Sequence, residues 1–125
     1  MKKILLIEDE GALQKSLGDT FREDGFEVLG ALDGEIGERL AESEKPDLII
    51  LDLTLPKKDG FEVFQSLKDN KKTADIPVVV LTNLERIEHV EKVLEMGAKT
   101  YLVKSNYTLK EILEKIKQIL ASPSL

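Results

Sequence analysis

Short unbroken apolar runs alternate along this chain with longer segments in which apolar residues recur every three or four positions. Residues 4–7 form the first run and are followed at once by Glu8-Asp9-Glu10. Leu13, Leu17 and Phe21 then repeat at four-residue spacing, the stripe of an amphipathic helix, with Gly25 as its stop. Residues 26–31 predict a second strand. Asp33 is placed to cap a helix that carries Ile36 and Leu40 and ends before Pro46. The run 48–51 is apolar at every position, as expected of a strand covered on both faces.

After a loop over residues 52–59, Phe61, Phe64 and Leu67 mark a third helix. Residues 77–81 predict a fourth strand, with Pro77 first, where a missing N–H is tolerated. Ile87, Val90 and Leu94 mark a fourth helix closed by Gly97, and residues 100–103 a fifth strand. Thr108 and Glu111 form a capping box for a last helix bearing Ile112, Leu113, Ile116 and Leu120, after which Ser122-Pro123-Ser124 breaks the pattern. Five strand–helix units in succession imply an α/β domain, a parallel sheet with helices on both faces. The helical stripes, Phe61 and Phe64 included, read as core. With no repeat, linker or further element, residues 1–125 read as one domain with no output domain.

Composition narrows the chemistry. A chain of 125 residues that is 42% hydrophobic and 34% charged suits one ordinary globular domain. The absence of Cys excludes disulfides, thiol catalysis and thiolate metal sites, and the single His, His89, excludes a His cluster. His89 sits among Glu residues and reads as solvated surface; Lys57-Lys58 and Lys71-Lys72 read as exposed loop charges. The net charge of −6 argues against direct nucleic-acid binding, which needs a basic face. The first apolar run is too short for a secretory signal and no stretch approaches a membrane span, so the expected location is cytoplasmic.

Ligands of an open α/β sheet bind at the carboxyl ends of its strands. Here those ends carry Glu8 and Asp9 after the first run, Asp52 after the third, Thr82 after the fourth and Lys104 after the fifth. Singly, each has a bland reading: Asp9 as a helix cap, Thr82 as a turn residue, Lys104 as solvated surface. Together they are three carboxylates, a hydroxyl and an ammonium on one rim. Mg²⁺ takes one or two carboxylates plus phosphate oxygens, which Asp9 and Asp52 would supply. An Asp carboxylate is also a competent nucleophile toward phosphorus, giving an acyl phosphate, with Lys104 and Thr82 placed for the phosphoryl oxygens.

The pieces Ile-Leu-Leu-Ile-Glu8-Asp9-Glu, Leu-Asp52-Leu-Thr-Leu-Pro56-Lys-Lys-Asp59-Gly60, Val-Leu-Thr82-Asn and Tyr101-Leu-Val-Lys104 resemble, in order and spacing, the receiver domain of two-component response regulators. The resemblance covers essentially the whole chain. It implies a flavodoxin-like doubly wound sheet of strand order 2-1-3-4-5. It implies Asp52 as phospho-acceptor, with Glu8, Asp9, Asp52 and the backbone carbonyl of Thr54 at the Mg²⁺. Thr82 and Lys104 would hold the phosphoryl group, and Thr82 and Tyr101 would form the switch.

A sensor histidine kinase or phosphotransfer protein would be the donor. A downstream target protein would bind the face of the fourth helix, fifth strand and fifth helix, the chain acting as a monomer or a phosphorylation-dependent dimer.

Four positions depart from the family pattern. Glu8 replaces the commoner Asp, which suggests a water-mediated metal contact. Leu55 replaces a usual Met. Asn83 stands where a smaller residue is usual, placed to narrow access to Asp52 or to donate to a phosphoryl oxygen. Ser105 replaces a frequent Pro, so the bond after Lys104 is expected to be trans. A haloacid-dehalogenase-type phosphatase also uses an Asp nucleophile and Mg²⁺, but needs a second Asp where this chain has Thr54. A flavin carrier on the same fold would want a Ser-, Thr- or Gly-rich loop where this chain has Glu-Asp-Glu.

Overall fold

The computed structural model describes residues 1–84 and 86–121; Ser122-Pro123-Ser124 lies outside them. Its elements alternate along the chain as β1 (Lys3–Ile7), α1 (Gly11–Glu23), β2 (Glu27–Ala31), α2 (Gly34–Glu44), β3 (Leu48–Leu51), α3 (Gly60–Asp69), β4 (Val78–Thr82), α4 (Ile87–Glu95), β5 (Thr100–Val103) and α5 (Leu109–Ala121). The strands form one parallel sheet in the order β2-β1-β3-β4-β5, a flavodoxin-like doubly wound sheet.

Each central strand feeds two cores because its side chains alternate between faces. Leu48 and Ile50 of β3 pack with Leu17 and Phe21 of α1 and Ile112 and Ile116 of α5. Ile49 and Leu51 pack with Ala41 of α2, Val63 and Phe64 of α3 and Val93 of α4. Each fully buried Leu, Ile, Val or Phe contributes about 1.5–3 kcal/mol relative to exposure, so these two layers hold the sheet. The strand order reverses between β1 and β3, which opens the crevice above their carboxyl ends.

The predicted punctuation is present. Asp33 accepts from the Ile36 N–H at 2.9 Å, and Thr108 and Glu111 cap each other's amides at 2.8 and 3.1 Å. Gly25 and Gly97 end α1 and α4 with φ of +94° and +104°. The fourth strand starts one residue later than expected, since Pro77 gives only its carbonyl, accepting from Ile49 N–H.

Three readings are corrected. Ile36, Ile87 and Leu94 are not core: they are 37%, 68% and 46% exposed, because α2 buries Gly34, Gly37 and Ala41 instead and α4 buries only Val93. His89 is half-buried, its ring 5.5 Å from that of Phe61, rather than solvated. Lys58 is not a free loop charge, since Glu38 and Ser66 bind its ammonium.

Candidate functional site

Parallel strands end together at one rim, so the side chains that follow β1, β3, β4 and β5 converge. Glu8, Asp9 and Asp52 each bring a carboxylate oxygen within 4.8 Å of the others. Asp52 is 2% exposed and Glu8 7%, while Asp9 is open to solvent. Asp9 does not cap α1: the capping position is Glu10, whose side chain makes no cap bond and whose N–H donates to Glu8 Oε2 at 3.0 Å.

Asp52 is held on both oxygens. Thr54 donates to Oδ1 through its backbone N–H and its hydroxyl, each at 3.1 Å, and Lys104 Nζ lies 2.9 Å from Oδ2. Lys104 also pairs with Glu8. The bond after Lys104 is trans as expected, and residues Lys104–Asn106 turn in a short 3₁₀ helix; the ammonium reaches Asp52 without a proline. Thr82 closes β4 fully buried, and its hydroxyl has no hydrogen-bond partner among the described residues. Asn83 is exposed beside it. Tyr101 lies half-buried against the α2–α4 core and donates to the Leu84 carbonyl at 2.8 Å.

Crowding shapes the acid–base character. Burial pushes the Glu8 carboxyl from 4.5 up to about 7; the Lys104 and Glu10 N–H bonds oppose this and the Asp52 charge adds to it. Burial alone would lower Lys104, but its bonds to Glu8 and Asp52 outweigh that and hold it above its usual value. Burial, then the Asp52 charge, raises Tyr101.

A raised carboxyl favours the folded protein in its protonated form. The contribution of Glu8 to metal-free stability is therefore complete below about pH 4.5 and lost as pH rises through about 7, on the order of 3 kcal/mol. Urea unfolding of metal-free protein across this range should show the decline, and Glu8→Gln should flatten it. Parallel profiles would remove this account of Glu8.

Three convergent carboxylates suit a hard divalent cation with oxygen ligands. The arrangement also contains a buried hydroxyl without a partner, a group that an added oxygen acceptor would satisfy. The donor set thus fits a cation together with an anion.

Sequence reasoning missed Gln14, whose side-chain amide donates to the Glu8 and Ala31 carbonyls at 3.1 and 3.0 Å and ties the ends of β1 and β2 together. It also missed Asp59 as the α3 cap, accepting from Phe61 and Glu62 N–H at 2.8 and 3.1 Å. The Asp-Gly opening of a predicted helix was the available signal.

Comparison with known proteins agrees with this geometry. The chain is 40% identical over 120 residues to the DNA-binding dual master transcriptional regulator RpaA of Synechocystis, covering 96% of this chain and 49% of that protein. It spans about half the length of the curated relatives it matches. Among solved structures it is similar to the Mn²⁺-bound form of response regulator Rcp1, at 32% identity and TM-score 0.80, covering 100% of this chain and 99% of that one. It is also similar to the receiver domain of sensor histidine kinase PA1611 from Pseudomonas aeruginosa, solved with magnesium coordinated in its active-site cleft. That match has 26% identity and TM-score 0.86, covering 97% of this chain and 98% of the other. The response regulator receiver domain family matches residues 4–117, and this chain belongs to that family.

Proposed function

We propose that Asp52 accepts a phosphoryl group from a histidine kinase or phosphotransfer protein at a Mg²⁺ site. The observation that carries this reading is the pairing of Asp52 with Lys104 inside a three-carboxylate cluster. Asp9, Asp52 and the Thr54 carbonyl would hold the cation, with Glu8 one water further out. The cation neutralises charge on the phosphoryl oxygens when bound. An Asp52 carboxylate oxygen forms the new P–O bond as the donor's P–N bond breaks, and the donor imidazole keeps the electron pair. Lys104 is placed to pass from Asp52 to a phosphoryl oxygen, and Thr82 to give its hydroxyl to another. Asn83 borders the opening and tunes entry.

The switch follows from the same groups. A Thr82 drawn toward phosphate changes the space beside Tyr101, and the face of α4, β5 and α5 presents the change to a target protein. The acidic net charge supports protein rather than nucleic acid as the direct partner. Among the described residues no helix is long and apolar enough to cross a membrane, which is compatible with the cytoplasmic setting of such a relay. Thr54 in the place of a second Asp disfavours a haloacid-dehalogenase-type phosphatase.

Incubation with a small-molecule phosphodonor and Mg²⁺ should add phosphoryl mass as an acid-stable, base-labile adduct, and chelation should prevent it. A wild type that gains no such mass would sink the proposal. Asn83→Ala should phosphorylate faster if Asn83 crowds the opening; an unchanged rate would return Asn83 to plain surface.

A further inference from the structure

We propose that Lys58 is a positioning residue for the cation site: through Glu38 and Ser66 it clamps the loop between β3 and α3 onto α2 and α3. The Thr54 carbonyl is thereby held where the cation is bound. This rests on the metal reading given above and adds to it a device in this chain that lies outside the acidic cluster.

The loop turns sharply at Lys57. Lys58 N–H donates to the Pro56 carbonyl at 2.8 Å, closing a three-residue turn, and Lys57 has φ of +66°. A residue with a Cβ disfavours that conformation, which persists only where the surroundings over-determine it. Lys58 ties the turn to its surroundings. Its Nζ lies 2.8 and 3.1 Å from the two Glu38 oxygens and 2.9 Å from Ser66 Oγ.

Less than a third of either side chain of the pair is exposed, so solvent screens it less than an ordinary surface bridge. Lys57 adds a looser contact, 3.5 Å from Asp33 Oδ2, with its own side chain mostly in solvent. The loop also packs closely on α2, since a Cβ added at Gly34 would stand 3.0 Å from the Lys58 carbonyl oxygen.

The two ends of the loop are fixed independently. Thr54 is tied to Asp52 Oδ1, and Gly60 N–H donates to the Leu53 carbonyl at 2.9 Å. Only the stretch through Leu55, Pro56 and Lys57 depends on the clamp. With the clamp open, the turn at Lys57 relaxes toward negative φ, and the Thr54 carbonyl loses its fixed direction.

Lys58→Met and Glu38→Gln both break the clamp, yet they change the charge near the acidic cluster in opposite senses. Two readouts are needed: Mg²⁺ affinity by calorimetry, and amide hydrogen exchange of residues 53–58 in the metal-free protein. Both variants should weaken Mg²⁺ binding about tenfold, as expected for a group that orients a ligand, and should speed exchange at Lys58, whose N–H closes the turn. The charge-swapped double variant, Glu38→Lys with Lys58→Glu, should restore both readouts.

Tighter Mg²⁺ binding in Lys58→Met together with weaker binding in Glu38→Gln would show through-space charge and overturn the proposal. Unchanged exchange in both variants would overturn it while leaving the metal reading intact. A wild type that binds no Mg²⁺ would remove the metal reading itself, and with it the role given to Lys58.

Discussion

Asp52→Asn should take no phosphoryl group from a donor that labels the wild type fully. The two neighbouring carboxylates are poor substitutes for Asp52. Glu8 is buried, with its two oxygens held by Lys104 and the Glu10 N–H, and lacks the Thr54 donors that orient Asp52. Asp9 is solvated, whereas Asp52 is oriented by Thr54 on one oxygen and by Lys104 on the other. The side-chain amide introduced by Asp52→Asn keeps an acceptor for Thr54 but supplies no carboxylate oxygen for a P–O bond. Removing the Asp52 charge also removes one of the causes that raise Glu8, so the Glu8 carboxyl should titrate lower in the variant. Intact mass before and after base treatment checks the first outcome and carboxyl NMR the second. Equal labelling of the variant would place the acceptor elsewhere.

The second large effect is structural. Gly60→Ala should destabilise the domain by about 3 kcal/mol, a substantial part of the ~5–15 kcal/mol that holds a typical domain together. A Cβ at that position would overlap Leu53 Cα and stand 2.5 Å from the Asp52 carbonyl oxygen. Both are backbone atoms and neither can rotate away, so β3 and α3 must separate just beside Asp52. Gly34→Ala would meet a buried Val63 methyl at 2.4 Å and the Lys58 carbonyl oxygen only at 3.0 Å, a single severe clash and that with a side chain, and should cost less. Gly11→Ala has open space at a helix start and should be neutral or slightly stabilising. Urea unfolding followed by circular dichroism ranks the three. A Gly60→Ala protein as stable as Gly11→Ala would refute the steric account.

Much of this was legible in the sequence because the informative signals are local. Residues 48–51 are apolar throughout since both faces of β3 are covered, and Asp33, Thr108 and Glu111 sit within one turn of the amides they cap. The rim was legible for a topological reason: parallel strands end at one edge, so five residues far apart in sequence could be assigned to one place. What was hidden depends on partners that no spacing reveals. The stripes of α2 and α4 show which way a helix faces but not how wide a strip its neighbours cover, and so Ile36, Ile87 and Leu94 were misread. Lys58 finds Glu38 twenty positions back, and His89 meets Phe61 on another helix. Glu8 was legible as an acid, but its burial and its contact with Lys104 were not.

The alternation within β3 reaches past the cores it sorts. Leu48 and Ile50 serve one core, Ile49, Leu51 and Leu53 the other, and Asp52 continues the even-numbered series at the rim. Asp52 is thus kept in phase by the same two-residue count. Loss or gain of a single residue within this strand would exchange the two faces and turn the Asp52 position to the wrong side. Substitutions can drift through β3 one at a time, but its length is a reading frame that tolerates no slip.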